Sequence, residues 1–135
     1  MNKEKLSTEP YKGVRDFYPA EASLQDYIFS VWTSTAESFG YEKYNASVLE
    51  PAELYRSKGA VNTELVNDQT YTFTDRGDRE VTLRPEMTPT AARLIAGRQK
   101  ELAFPVRWFS IPNLFRYERP QKGRLREHWQ LNCDI

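Results

Sequence analysis

The 135-residue sequence has little cysteine and no excess of charge of either sign. Its single cysteine, Cys133, cannot form a disulfide within the chain, which fits a reducing cytoplasm. Lysine and arginine total 19, as do aspartate and glutamate, so the formal net charge is zero. A zero net charge argues against a general nucleic-acid coat, so any contact with RNA is expected to be local.

Long apolar stretches are also missing. No apolar run approaches the roughly 20 residues that a membrane helix needs, so no membrane contact is predicted. The first ten residues, MNKEKLSTEP, lack the apolar core of a signal peptide. The sequence contains no internal repeat. We predict a flexible N-terminus over residues 1–10, followed by a soluble domain over residues 11–135.

The first patterned stretch predicts a helix that begins near Pro19 and ends at Gly40. Its apolar residues recur at helical spacing and are expected to pack in the core: Leu24, Ile28, Val31 and Phe39. A strand closed by Pro51 is predicted over residues 41–49, and a short helix followed by a loop over residues 54–68. Residues 70–74 and 80–84 alternate apolar and polar side chains around Asp75–Asp78, which predicts a β-hairpin.

A second helix is predicted after this hairpin, with Thr88 as its cap, Pro89 as its first residue and its end near Leu102. An apolar strand over residues 106–111 should follow it. Two further strands are predicted at the C-terminal end, over residues 114–118 and 128–135. On the last strand, four polar residues share one face: His128, Gln130, Asn132 and Asp134.

Five cations fall within eleven residues at the end of the first of these two strands and in the loop that follows it: Arg116, Arg119, Lys122, Arg124 and Arg126. Planar guanidinium groups suit phosphate and carboxylate ligands. Charged loops also serve simply to keep a surface solvated, and composition alone leaves that alternative open.

The stretch from Phe115 to Gln130, FRYERPQKGRLREHWQ, resembles motif 2 of the class II aminoacyl-tRNA synthetases, in the form found in the histidyl-tRNA synthetase family. Four residues match the class pattern: Phe115, Arg116, Glu118 and Arg124. His128 stands where the family usually has an aromatic ring. Residues 13–19 and 82–88 resemble two other segments of that family. Residues 41–49 resemble motif 1, with Ser47 in place of a proline.

The resemblance implies a set of roles. Arg116 would bridge the histidine carboxylate and the α-phosphate of ATP, and would be the catalytic residue. Glu118 would orient the adenine end, Arg124 would meet the outer phosphates, and His128 would stack on adenine. Mg²⁺ would arrive with ATP, since the chain shows no metal-ligand cluster of its own. The α-ammonium of histidine would meet Glu86, Thr88 and Gln130, and the imidazole would meet Asp134.

The resemblance also implies an α+β fold: part of a class II catalytic domain, mainly antiparallel sheet with flanking helices. Motifs 1 and 2 fall within these 135 residues, whereas a third motif and an anticodon-binding domain do not. The implied function is cytoplasmic histidine–tRNA ligation by a homodimer that also binds tRNA(His), and the piece alone is expected to be inactive. Two alternatives are a regulatory subunit of ATP phosphoribosyltransferase and a non-catalytic nucleotide-binding or dimerisation module.

Overall fold

The computed structural model describes residues 4–56 and 69–135. In these ranges the helices are α1 (Pro19–Ser38), α2 (Ala52–Arg56) and α3 (Thr88–Gly97). The strands are β1 (Glu42–Lys43), β2 (Leu49–Pro51), β3 (Tyr71–Thr74), β4 (Glu80–Leu83), β5 (Trp108–Ser110), β6 (Asn113–Phe115), β7 (Glu127–Trp129) and β8 (Asn132–Asp134).

The strands form three small sheets with orders β1-β5-β8, β2-β4-β3 and β6-β7. Every pairing is antiparallel except that of β1 with β5. The predicted α+β fold with a mainly antiparallel sheet is therefore confirmed. Fully buried side chains from several elements form the core between the sheets and helices: Tyr55, Met87, Phe109 and Leu114. No helix in the described ranges is long and apolar enough to cross a lipid bilayer.

Helix α1 has the predicted limits, but its apolar stripe is not core. Gly40 has φ +80°, a left-handed conformation that ends the helix. Glycine stands there because residues with a side chain rarely adopt that conformation. The stripe residues are exposed, from 40% for Ile28 to 73% for Phe39. The inward contacts come from other positions: Phe29 stacks on Trp32 at 5.5 Å and lies 6.5 Å from Trp129. Nothing among the described residues covers the stripe, so helical spacing identified an apolar face but not its partner.

The predicted strand over residues 41–49 is two short strands in different sheets. Between them the chain turns toward Arg84, whose side chain donates to the carbonyl of Ala46 and whose backbone N–H donates to that of Val48, both at 2.9 Å. Pro51 lies inside β2 rather than after it. Its missing N–H is tolerated there because β2 is an edge strand.

The hairpin of β3 and β4 has the predicted pairing, with Phe73 opposite Val81. Its turn is held by Asp75, whose Oδ1 accepts the backbone N–H groups of Gly77 and Arg79. The buried face carries Thr82, however, while Phe73 is 47% exposed. The helix predicted from residue 54 is α2, which begins earlier at Ala52. The loop predicted after it falls on residues 57–68, outside the described ranges.

Helix α3 differs from its prediction at both ends. Thr88 is its first residue, and no side-chain bond caps it. It ends at Gly97 rather than near Leu102, because Arg98 has left the helical region with φ −131°. Residues 98–101 form hydrogen-bonded turns instead.

The last predicted strand is also broken in two. β7 pairs with β6, and the N–H of Gln130 then donates to the carbonyl of Pro112 at 3.2 Å. The chain crosses at Leu131, and β8 pairs with β5 instead. Gln130 and Asp134 therefore do not lie on one continuous strand, as the alternating pattern had predicted.

Candidate active site

The site is built around Arg116, which directly follows β6 at the mouth of the β6–β7 hairpin. Its backbone N–H donates to the carbonyl of Arg126 at 2.8 Å, which continues the hairpin pairing beyond the strand. Its side-chain Nε donates to the carbonyl of Pro85 at 3.0 Å. No described residue bonds to the two terminal nitrogens of its guanidinium group. Arg116 is thus fixed in position while two of its nitrogens stay available for an anion.

Glu118 and Arg124 face each other across the loop between β6 and β7 and form an ion pair. The Oε2 of Glu118 lies 3.6 Å from the Nε of Arg124, and their side chains are 16% and 66% exposed. An ion pair this exposed on one side is worth about 1 kcal/mol or less, so a ligand can separate it at small cost. The turn between them is tight, with Gln121 bonded to Arg124 and a left-handed Gly123 at φ +77°.

His128 lies on β7 opposite Leu114 and is half-buried. Burial lowers the pKa of His128, the positive charge of Arg116 lowers it further, and Glu118 opposes this. The imidazole is therefore neutral near pH 7. Arg116 and Glu118, which the resemblance assigns to the same nucleotide site as His128, are thus close enough to His128 to act on it electrostatically. His128 also lines a cleft of about 660 Å³ between the hairpin and α1.

The segment that carries Glu86 and Thr88 is held next to Arg116. Besides the Arg116–Pro85 bond, the buried Tyr55 hydroxyl donates to the carbonyl of Glu86 at 2.8 Å and lies 2.7 Å from the Thr90 hydroxyl. Burial raises the pKa of Tyr55 to about 12, so this hydroxyl stays protonated and can donate. Glu86 itself is partly buried, whereas the Thr88 side chain is exposed.

Asp134 lies on β8 in the other sheet, opposite Trp108. Its Oδ2 accepts an amide N–H of Asn132 at 2.9 Å. Burial raises the pKa of Asp134, while the hydrogen bond from Asn132 and the nearby Tyr44 hydroxyl oppose that rise. No hydrogen bond or ion pair joins Asp134 or the exposed Gln130 to the Arg116 group within the described ranges. The structure thus brings together the predicted nucleotide residues, but it does not link these two histidine residues to them.

Arg126 is not an anion-binding cation, contrary to the expectation for the five-cation loop. It is 9% exposed and its guanidinium group is already used. It donates to the Glu118 carbonyl at 2.9 Å, to the Tyr11 hydroxyl at 3.0 Å and to the Lys12 carbonyl at 3.2 Å. The guanidinium carbon also lies 4.4 Å above the Tyr117 ring. Arg126 therefore fastens the N-terminal segment to the loop that carries Glu118.

Arg84 is a second supporting residue, and no role for it was predicted from the sequence. It is 3% exposed, and burial lowers its pKa. Its Nε and Nη2 donate to the carbonyl and side-chain oxygens of Asn113, both at 3.0 Å, and its backbone carbonyl accepts from Phe115. It thereby sets β6 against β4. One signal for its burial was present in the sequence. Arg84 lies two residues after the buried Thr82 of β4, so the alternation of the strand places both on the same face.

Similarity to known proteins extends over the whole chain. A profile of the histidyl-tRNA synthetase family matches residues 13–135. A histidine–tRNA ligase of Leptospira biflexa is 56% identical over all 135 residues, which cover 30% of its length. The chain thus spans about 30% of the length of such relatives.

Two solved structures resemble this fold. Histidyl-tRNA synthetase from Nostoc superposes with a TM-score of 0.79 at 23% identity, over 96% of this chain and 28% of that one. An ATP phosphoribosyltransferase regulatory subunit/histidyl-tRNA synthetase from Bacillus halodurans gives 0.77 at 28% identity, over 96% of this chain and 32% of that one. From the family match and the 56% identity, the chain belongs to the histidyl-tRNA synthetase family.

Proposed function

We propose that this chain supplies the motif 1 and motif 2 part of a histidine–tRNA ligase. Such an enzyme joins histidine to ATP as histidyl-adenylate and then transfers the histidyl group to tRNA(His). The observation that carries the proposal is the placement of Arg116. Its Nε donates to the Pro85 carbonyl, and its two outer nitrogens bond to none of the described residues and lie near His128 and the Glu86 segment.

That placement suits the first reaction. A histidine carboxylate oxygen attacks the α-phosphorus of ATP, and pyrophosphate leaves with the electron pair of the broken bond. The nucleophile is already ionised, so the step needs no general base. It needs two anions held in line and their charge stabilised, which a fixed guanidinium group bridging the carboxylate and the α-phosphate provides.

ATP enters this proposal as its magnesium complex. The described residues contain no group of three or more His, Cys, Asp or Glu that could hold a metal ion. Mg²⁺ would therefore be bound largely by phosphate oxygens, as is common for this ion. Arg124 would leave Glu118 to meet the outer phosphates, Glu118 would turn to the adenine end, and the neutral His128 ring would stack on the base.

Histidine would be recognised at both of its ends. Glu86, Thr88 and Gln130 supply oxygen atoms for the α-ammonium group, and Glu86 belongs to the segment that Arg116 contacts. Asp134 supplies an acceptor for an imidazole N–H. A site that pairs each polar group of its substrate rejects isosteres that lack the matching hydrogen bonds by large factors.

The enzyme would act as a homodimer in the cytoplasm. The exposed apolar stripe of α1, in which Leu24 is 61% and Val31 45% exposed, is the face that would pair in a homodimer. A contiguous apolar face of this kind is typical of an interface. The cytoplasm, where tRNA is charged for protein synthesis, is the proposed location.

The test is ATP–pyrophosphate exchange dependent on histidine. In the full-length enzyme, Arg116→Ala should slow exchange by about 10²- to 10³-fold, because a donor aimed at developing charge is lost. Arg119→Ala, which removes an exposed cation from the same loop, is the matched control and should leave the rate near normal. Near-normal exchange in Arg116→Ala would contradict the proposed role.

The 135-residue chain alone should show no exchange above background, since removing members of a cooperating active site costs nearly all of its rate. Exchange by the chain alone that Arg116→Ala abolishes would contradict this expectation. The regulatory-subunit alternative is weaker, because Arg116, Glu118 and Arg124 are all present. ATP binding without histidine-dependent exchange in the full-length protein would favour that alternative or the non-catalytic module.

A further inference from the structure

A polar cluster lies on one face of the β1-β5-β8 sheet, where β1 ends. Ser110 on β5 pairs with Asn132 on β8, and Trp108 pairs with Asp134. Tyr44 directly follows β1. Its backbone N–H donates to the carbonyl of Phe109 at 3.0 Å, and its ring lies 5.2 Å from that of Trp108. By alternation along the strands, Tyr44 shares the face of Ser110, Asn132 and Asp134.

Two hydroxyl groups of this cluster lack normal hydrogen bonds. The hydroxyl oxygens of Tyr44 and Ser110 are both buried, and neither makes a bond of normal geometry to another described residue. Ser110 is 1% exposed, so water does not readily satisfy it. Burying a hydroxyl without a partner is unfavourable, which makes two of them side by side an unusual arrangement.

The Asp134 carboxylate, by contrast, can accept more hydrogen bonds than it receives from the described residues. It is partly buried and accepts one hydrogen bond from the described part of the chain, that of Asn132. Burial raises the pKa of both Asp134 and Tyr44; the nearby Tyr44 opposes the rise at Asp134, and the charge of Asp134 adds to the rise at Tyr44. Among the residues that the structure describes, the other charged or titratable neighbours of the pair are Arg84, near Tyr44, and Cys133, beside Asp134. The Tyr44 hydroxyl, a donor without an acceptor, thus lies close to the Asp134 carboxylate, an acceptor that can take further donors.

We infer that Tyr44 is a positioning residue for histidine recognition: its hydroxyl donates to the Asp134 carboxylate, and the Ser110 hydroxyl donates to the Tyr44 oxygen. This relay satisfies both buried hydroxyls and holds Asp134 as a charged acceptor in one orientation. A hydrogen bond to an ionised carboxylate is roughly twice as strong as one between neutral groups. The inference rests on the proposed function, in which Asp134 meets the imidazole.

The first experiment follows the Asp134 carboxyl carbon by NMR during a pH titration of the 135-residue chain. Tyr44→Phe should raise the midpoint, because the ionised form loses a donor, and Ser110→Ala should raise it less. Tyr71→Phe is the matched control, since it removes a hydroxyl whose partner is Tyr11. An unchanged midpoint in Tyr44→Phe would overturn the inference whatever the substrate.

The second experiment uses the full-length enzyme. Tyr44→Phe should raise KM for histidine about tenfold, as expected for the loss of one hydrogen bond to a charged group, with little change in kcat or in KM for ATP. An unchanged KM for histidine in that variant would overturn the positioning role. If instead Asp134→Asn left this KM unchanged, the proposed contact of Asp134 with imidazole would be wrong, while a shifted NMR midpoint would still support the Tyr44–Asp134 bond.

Discussion

The buried Arg126 offers a sharp test of how this chain holds its candidate site together. Arg126→Met keeps most of the length of the side chain and its aliphatic part. It removes the charge and the three hydrogen bonds to Glu118, Tyr11 and Lys12. It also removes the cation from above the Tyr117 ring. We expect the N-terminal segment to detach from the hairpin loop and the free energy of unfolding to fall.

The size of the effect follows from these contacts. A hydrogen bond from a charged group contributes about 1.5–3 kcal/mol, and a partly exposed cation–π contact about 0.5–1 kcal/mol. Burying the guanidinium group carries a desolvation cost, which the methionine avoids. Tyr11 is 55% exposed, so water can replace part of what its hydroxyl loses. A net loss of about 3 kcal/mol is therefore expected.

Urea unfolding followed by tryptophan fluorescence measures this loss as a lower midpoint at an unchanged slope. Arg119→Met, which removes an exposed cation from the same loop, should change the free energy of unfolding by about 0.5 kcal/mol or less. In a double-mutant cycle, Arg126→Met and Tyr11→Phe should be coupled. A loss below about 1 kcal/mol for Arg126→Met, with no coupling to Tyr11, would refute the reasoning, since desolvation would then cancel the hydrogen bonds.

Two further predictions concern His128 and helix α1. Because burial and Arg116 lower the pKa of His128, the folded chain binds fewer protons than the unfolded one, so the free energy of unfolding should fall as pH drops through about 6.5. His128→Phe should remove that part of the pH dependence, and an unchanged profile would contradict it. Ile28→Asp on the exposed stripe should reduce self-association measured by light scattering, whereas Asp26→Lys elsewhere on α1 should not; equal association would exclude this face as the interface.

Local chemistry allowed part of the fold to be predicted from sequence. Asp75 supplies the acceptor that its turn requires, and the alternation on either side sets the register of β3 and β4. Pro19 and Gly40 mark the ends of α1 because each has a strong backbone preference. These features depend on residues close together in sequence, so the sequence alone was sufficient for them.

Features that depend on distant partners were not predictable in the same way. The alternation from His128 to Ile135 has a strand period throughout, and nothing in it reveals that β7 pairs with β6 while β8 pairs with β5. The spacing of Leu24 and Ile28 identified an apolar face, but burial depends on what lies opposite.

The candidate site divides along the same line. The residues assigned to ATP lie on one hairpin and its loop, so their proximity follows from the motif. The roles of the supporting residues do not follow from the motif. In the sequence, Arg126 is one more cation of a basic loop, and Tyr44 is one more apolar residue of a predicted strand. Their roles come from contacts with segments far away in the chain, which a periodic pattern does not encode.

The fastening of the N-terminal segment by Arg126 also sets an order of events during synthesis. Gly13 is the contact point: its φ is +90°, and a Cβ there would lie 2.6 Å from the Arg126 Cδ. The bond from Arg126 to Tyr11 spans 115 residues of chain. At a typical 5–20 residues per second, the ribosome needs about 6–23 s to make that stretch. For that time the segment around Gly13 lacks its contacts with Arg126, and a chaperone that binds nascent chains would find it accessible.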